Sequence, residues 1–168
     1  MPPPIVETNV LATANEYATH ANPKCVLACI EALQCVRQGQ KILLDDAMRI
    51  LTEYRRYASP KGQPGPGDLF MKWVWDNRAN HNVCLPITIT PTVNDPEDFE
   101  EFPKVSELAT FDRNDRKWVA VAIASGMNPP ILNAVDTDWW KHRKALERNA
   151  VHVEFLCPDM MACANMMA

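Results

Sequence analysis

Apolar residues recur along this chain in two rhythms, short extended runs and helical stripes. Ile5-Val6 gives a first strand over residues 4–7. The stripe Val26, Ile30, Leu33 and Val36 predicts a helix over 23–38, with Gly39 as its stop. A strand over 41–44 comes next, then a helix reaching residue 58 along the stripe Ala47, Ile50, Leu51, Tyr54 and Ala58, with Asp45 or Asp46 as its cap. Prolines and glycines at 59–67 read as a loop. A helix over 69–78 is expected to bury Phe70, Trp73 and Val74. Over 83–90, Ile87 and Ile89 alternate with Thr88 and Thr90 as in a strand, and Pro86 assigns it an irregular or edge position.

The acidic stretch at 94–101 reads as a solvated loop or short helix, with a lid or partner surface as the sharper alternative. A helix over 112–125, with stripe Trp118, Val119, Ala122 and Ile123, ends at Gly126 before Pro129-Pro130. A strand over 131–135, a helix over 137–148 and a strand over 151–156 complete the pattern. The methionine-rich stretch 158–168 has no period and reads as a loosely ordered tail.

Strands that alternate with helices predict an α/β fold: one domain over 1–157, three layers α/β/α, around a central mostly parallel sheet of about five strands, Rossmann-like in layout. Ligands of such sheets bind outside the carboxyl ends of the strands. Acids stand there: Glu7 after the first strand, Asp45-Asp46 after the second, Asp136 and Asp138 after the strand at 131–135. Asp112 and Asp115 fall on the inward side of a helix start, where they either cap the helix or meet a metal. Glu53 flanks the stripe of its own helix, between Arg49 and Arg56, and either pairs with them or joins the acids.

Composition narrows the classes. The chain has 168 residues, 47% apolar and 23% charged, as soluble proteins do. No apolar run approaches the ~20 residues of a membrane span. The opening Met1-Pro2-Pro3-Pro4 lacks the basic and apolar parts of a signal peptide, so a cytoplasmic location and no membrane partner are expected. A net charge of −4 argues against a basic nucleic-acid scaffold but not against a nucleic-acid enzyme, since metal ions neutralise an acidic site. The five glycines form neither a G-x-G-x-x-G nor a P-loop. The six cysteines do not read as a disulfide framework; Cys25, Cys29 and Cys35 on one helix are expected to be buried thiols, and zinc-ligand spacing is absent.

Four segments then line up in order. They are Glu7-Thr8-Asn9-Val10 at a strand end, Leu51-Thr52-Glu53-Tyr54 on the helix after the second strand, Asp115 ahead of Val119-Ala120-Val121-Ala122, and Ala134-Val135-Asp136-Thr137-Asp138-Trp139 after a later strand. In these the chain resembles the PIN domains, metal-dependent nucleases that include the VapC-type toxins of toxin–antitoxin pairs. The resemblance implies endonucleolytic hydrolysis of RNA phosphodiesters. Glu7, Glu53, Asp115 and Asp136 would be catalytic, and Glu7, Asp112, Asp115, Asp136 and Asp138 would hold Mg²⁺ or Mn²⁺, with Thr8 and Asn9 orienting the first carboxylate. Arg55, Arg56, Arg113, Arg116, Lys117, Lys141 and Arg143 lie beside these motifs and could hold the nucleic-acid backbone, and Trp139 or Trp140 could stack on a base. RNA is the expected partner, with DNA, an antitoxin protein and a second copy of the chain as other candidates. The family opens its first motif with Asp. Glu7 is one methylene longer, and it sets the alternative: a catalytically weakened or inactive module of the same fold that binds nucleic acid or protein.

Overall fold

A computed structural model describes residues 1–167, with side chains through residue 163. It is a mixed α/β fold. Three parallel strands form the sheet β1 (Ile5–Val6), β6 (Pro130–Asn133) and β7 (His152–Phe155), in the order β1-β6-β7. Ile5 lies opposite Ile131, and Ile131 opposite Val153. A second parallel pair joins β2 (Ile42–Asp45) to β3 (Cys84–Ile87), with Leu44 opposite Pro86. Pro86 lacks a backbone donor, and it stands on a strand paired on one side only, as expected. One backbone hydrogen bond, Leu43 N–H to the Pro4 carbonyl at 3.0 Å, links the pair to the start of β1.

Helices α2 (Pro23–Gly39), α3 (Arg49–Tyr57), α4 (Pro66–Asn77) and α5 (Arg116–Ser125) fall near their predicted spans. On α2 the buried face is Cys25, Cys29, Leu33 and Val36; Val26 and Ile30 sit on its shoulder, because the cysteines act as the small apolar residues that let the helix pack closely. In α5, Trp118 through Ala122 are all buried, the signature of a helix enclosed on every side. Full burial of side chains such as Trp118, Tyr54, Phe70 and Leu43 contributes about 1.5–3 kcal/mol each to folding.

Several expectations are corrected. Thr8–Ala14 forms an unforeseen helix, α1, whose N-cap is Glu7. The predicted helix over 137–148 is two, α6 (Thr137–Lys141) and α7 (Arg143–Arg148), broken at His142, whose buried ring bonds Thr110 and Asp138. The acidic stretch is a β-hairpin, β4 (Pro91–Thr92) and β5 (Asp95–Phe99), held down by cations: Arg113 pairs with Asp95, and Arg116 and Lys104 with Asp98. Burial alone would raise the Asp98 carboxyl; hydrogen bonds from Arg116 and the Phe99 N–H outweigh it and hold the carboxyl below its ordinary range. The stretch expected to be a loose tail includes α8 (Pro158–Met167). Cys25 and Cys157 form a disulfide, against the expectation of free thiols, and Cys35 is exposed.

Candidate active site

Each acid of the site is placed by a local rule. Glu7 follows β1 directly, and its carboxylate accepts the Asn9 N–H at 2.9 Å, starting α1. Asn9 in turn accepts the Ala134 N–H at 2.8 Å, fixing α1 to the end of β6. Asp136 ends the turn after β6 and caps α6 by accepting the Asp138 N–H at 2.9 Å. Asp115 closes the 3₁₀ turn Arg113–Asp115 that leads into α5, and it accepts the buried Trp139 Nε1–H at 3.2 Å. Glu53 projects from α3, where it accepts the Thr8 hydroxyl and the Lys117 ammonium, the latter at 2.7 Å.

Glu7, Glu53, Asp115 and Asp136 line one cleft of about 720 Å³ at the carboxyl ends of β1 and β6. Thr8, Asn9, Arg49, Thr52, Arg56 and Lys117 also line it, and the β4–β5 hairpin adds Glu97 and Phe99 to its rim. The charges are poorly compensated. Burial, then the neighbouring Asp115 carboxylate, pushes the Glu7 carboxyl well above its ordinary range, against the pull of the Asn9 N–H. Burial, then Asp136 and Asp112, pushes Asp115 up to about 8. Burial also raises Asp136. Crowded, desolvated carboxyls with raised pKa mark functional clefts more often than structural ones.

Comparison with protein-family models, with curated proteins and with solved structures finds no match. The geometry therefore stands alone. It brings together Glu7, Glu53, Asp115 and Asp136. It does not bring in Asp112 and Asp138, which are engaged elsewhere: Asp138 accepts the Asp112 N–H at 3.0 Å and pairs with His142, while the Asp112 carboxylate caps its own 3₁₀ turn through the Asn114 N–H. Thr8 serves Glu53 rather than Glu7.

Of the seven expected phosphate-binding cations, Arg56, Arg113 and Lys117 line the cleft. Arg55 lies over the Trp75 ring, Arg143 over Trp140, and Arg116 over Phe102 with its guanidinium bonded to Asp98. Lys141 is exposed and outside the cleft. Trp139 is core, and Trp140 packs edge-on against Phe155. Asp45 is a buried cap for α3, accepting Arg49 N–H and Ile50 N–H at 3.0 and 2.9 Å. Sequence reasoning missed the hairpin rim and the pairing of Lys117 with Glu53; Lys117 stands two residues after Asp115, a spacing that does not put helical side chains on one face, so no periodic signal pointed to it.

Proposed function

We propose that this chain is a metal-dependent nuclease of the PIN type, acting on RNA, with Mg²⁺ or Mn²⁺ as its cofactor. The observation that carries the reading is the meeting of three carboxyls with raised pKa, Glu7, Asp115 and Asp136, in one cleft at the ends of parallel strands. The reading is supported by the link between the sheet β1-β6-β7 and the pair β2-β3 through the Leu43 N–H to Pro4 carbonyl bond, and on it the two would form one five-stranded sheet between helix layers.

The donor set fits the ion in its chemistry. Carboxylate oxygens are hard donors suited to Mg²⁺ and Mn²⁺, and among the described residues only Glu53 of these four acids is held in an ion pair, with Lys117. Among the described residues, these acids do not bring three ligand atoms within 4.8 Å of one another, so the carboxyls must draw together around an ion. Glu7, Asp115 and Asp136 would hold it. A divalent cation there supplies charge neutralisation at a phosphodiester and lowers the pKa of a water. The chain's own residues do the rest. Trp139 orients Asp115, the Asn9 N–H orients Glu7, and Lys117 pairs with Glu53 and holds it in place. Arg56 at the cleft would give a backbone phosphate its counter-charge, while Arg113 beside it is already paired with Asp95.

Purified protein should cleave RNA with Mn²⁺ or Mg²⁺, stop on chelation, and fail after Asp136→Asn; parallel reactions on DNA define the substrate. Cleavage that ignores metal or survives Asp136→Asn refutes the reading. A second reading, a non-catalytic module of the same fold that binds nucleic acid or protein, is favoured by the Lys117–Glu53 pair, which already neutralises one acid, and by the extra length of Glu7. Calorimetric titration with Mn²⁺ separates the two: RNA binding without metal binding supports the module.

A further inference from the structure

Away from the acidic cleft, three sulfurs meet. Cys25 and Cys29 lie one turn apart on α2, and Cys157 stands at the junction of β7 and α8. All three sulfur atoms lie within 4.8 Å of one another, and the residues are only 3%, 0% and 5% exposed. We propose that the reduced protein holds one copper(I) ion between the sulfurs of Cys25, Cys29 and Cys157, and that the Cys25–Cys157 disulfide closes this site. The inference does not depend on the nuclease reading.

In the oxidised form two of the sulfurs are joined, so an ion enters only once reduction lets Cys25 and Cys157 part. Three sulfurs bonded to one ion at about 2.3 Å in a trigonal plane stand about 4 Å apart. The segments are already fixed in register: Asn22 caps the Cys25 N–H at 2.8 Å, and the Met160 and Met161 N–H groups bond the Cys157 carbonyl at 3.1 and 3.3 Å. The donors select the metal. Zinc wants four ligands, and no His, Asp or Glu joins this trio among the described residues. Met161, four residues beyond Cys157 on α8 and 1% exposed, offers a further sulfur by sequence. A purely sulfur donor set in an apolar setting favours copper(I). Cys29 is fully buried and keeps a free thiol beside the disulfide.

The chemistry balances with a small-molecule thiol as reductant. Two equivalents of that thiol cleave the Cys25–Cys157 bond, giving two cysteine thiols and one oxidised disulfide of the reductant. Copper(I) then replaces protons on the sulfurs, which leave to solvent. In the reverse direction the disulfide form of that small-molecule thiol accepts the two electrons and two protons, leaving as two thiols, while the ion departs and the Cys25–Cys157 bond re-forms.

The test is an anaerobic competition for copper(I) against a chromophoric chelator, with full-length protein carrying Cys35→Ser and Cys163→Ser to remove exposed thiols. The reduced protein should withdraw about one equivalent and show only sulfur neighbours by X-ray absorption. The oxidised protein should withdraw none. Adding Cys29→Ser or Cys29→Ala should weaken retention by more than about tenfold, since a sulfur ligand is lost; two variants are used so that misfolding of one does not decide the result. Equal retention by the oxidised protein or by the Cys29 variants, no retention by the reduced protein, or preferential retention of Zn²⁺ overturns the proposal.

Discussion

Replacing Asp115 by Asn tests the electrostatics of the cleft directly. Burial beside Asp136 and Asp112 pushes the Asp115 carboxyl up to about 8, whereas in the unfolded chain it titrates near 3.9. Between those values the folded protein keeps a proton that the unfolded chain has released. The folded state binds more protons, so the free energy of unfolding falls as pH rises through this window. One such group costs about 1.4 kcal/mol per pH unit, or about 2.7 kcal/mol from pH 5 to pH 7. Glu7 and Asp136 are raised too and act in the same direction. Asn keeps the shape of Asp and an oxygen to accept the Trp139 Nε1–H, but carries no titrating charge. Urea unfolding followed by tryptophan fluorescence, with chelator present, should show the wild-type protein losing stability between pH 5 and pH 7. The Asp115→Asn protein should lose about 2 kcal/mol less over the same interval. Addition of Mn²⁺ at pH 7 should restore the wild type and leave the variant little changed. Parallel pH profiles for the two proteins would refute the account.

Other expectations are simpler. Tyr54→Phe removes the hydroxyl that donates to the Val6 carbonyl at 2.5 Å, beneath Glu7, and should cost about 1–3 kcal/mol in urea unfolding, since the acceptor is left buried. Asp45→Ala removes the buried cap of α3 and strands the Arg49 charge; a loss of about 2–4 kcal/mol is expected by the same measurement, with m unchanged. Glu7→Gln keeps an oxygen for the Asn9 N–H but removes a charge that burial disfavours, so the melting temperature at pH 8 should hold or rise while metal-dependent cleavage is lost. A marked fall in that melting temperature contradicts the assignment of Glu7 as a buried, crowded acid.

The helices and strands were legible where the apolar period was strong. The stripe of α3 put Ile50, Leu51 and Tyr54 inside, and they are. The acids that meet in the cleft were also legible, because strand ends and helix starts fix where side chains can go. What the sequence hid was competition for each carboxylate. Asp112 and Asp138 had the same spacing credentials as Asp115, yet backbone N–H groups and His142 take them, and only tertiary folding decides that. The acidic stretch misled for a similar reason: its partners Arg113 and Arg116 lie on another element, so charge that reads as solvated in one dimension is paired in three. Helix α1 was missed because it is only seven residues long, too short to show a period.

The cleft's acids come from four separate stations of the chain, at positions 7, 53, 115 and 136. No fragment owns the site. A chain still being synthesised carries its first acids long before the last can join them, and a chain clipped by a protease keeps the acids but not their meeting place. Under the proposed nuclease reading, this ordering would act as a safeguard: the cleft is not assembled until residues 7 through 136 are all present.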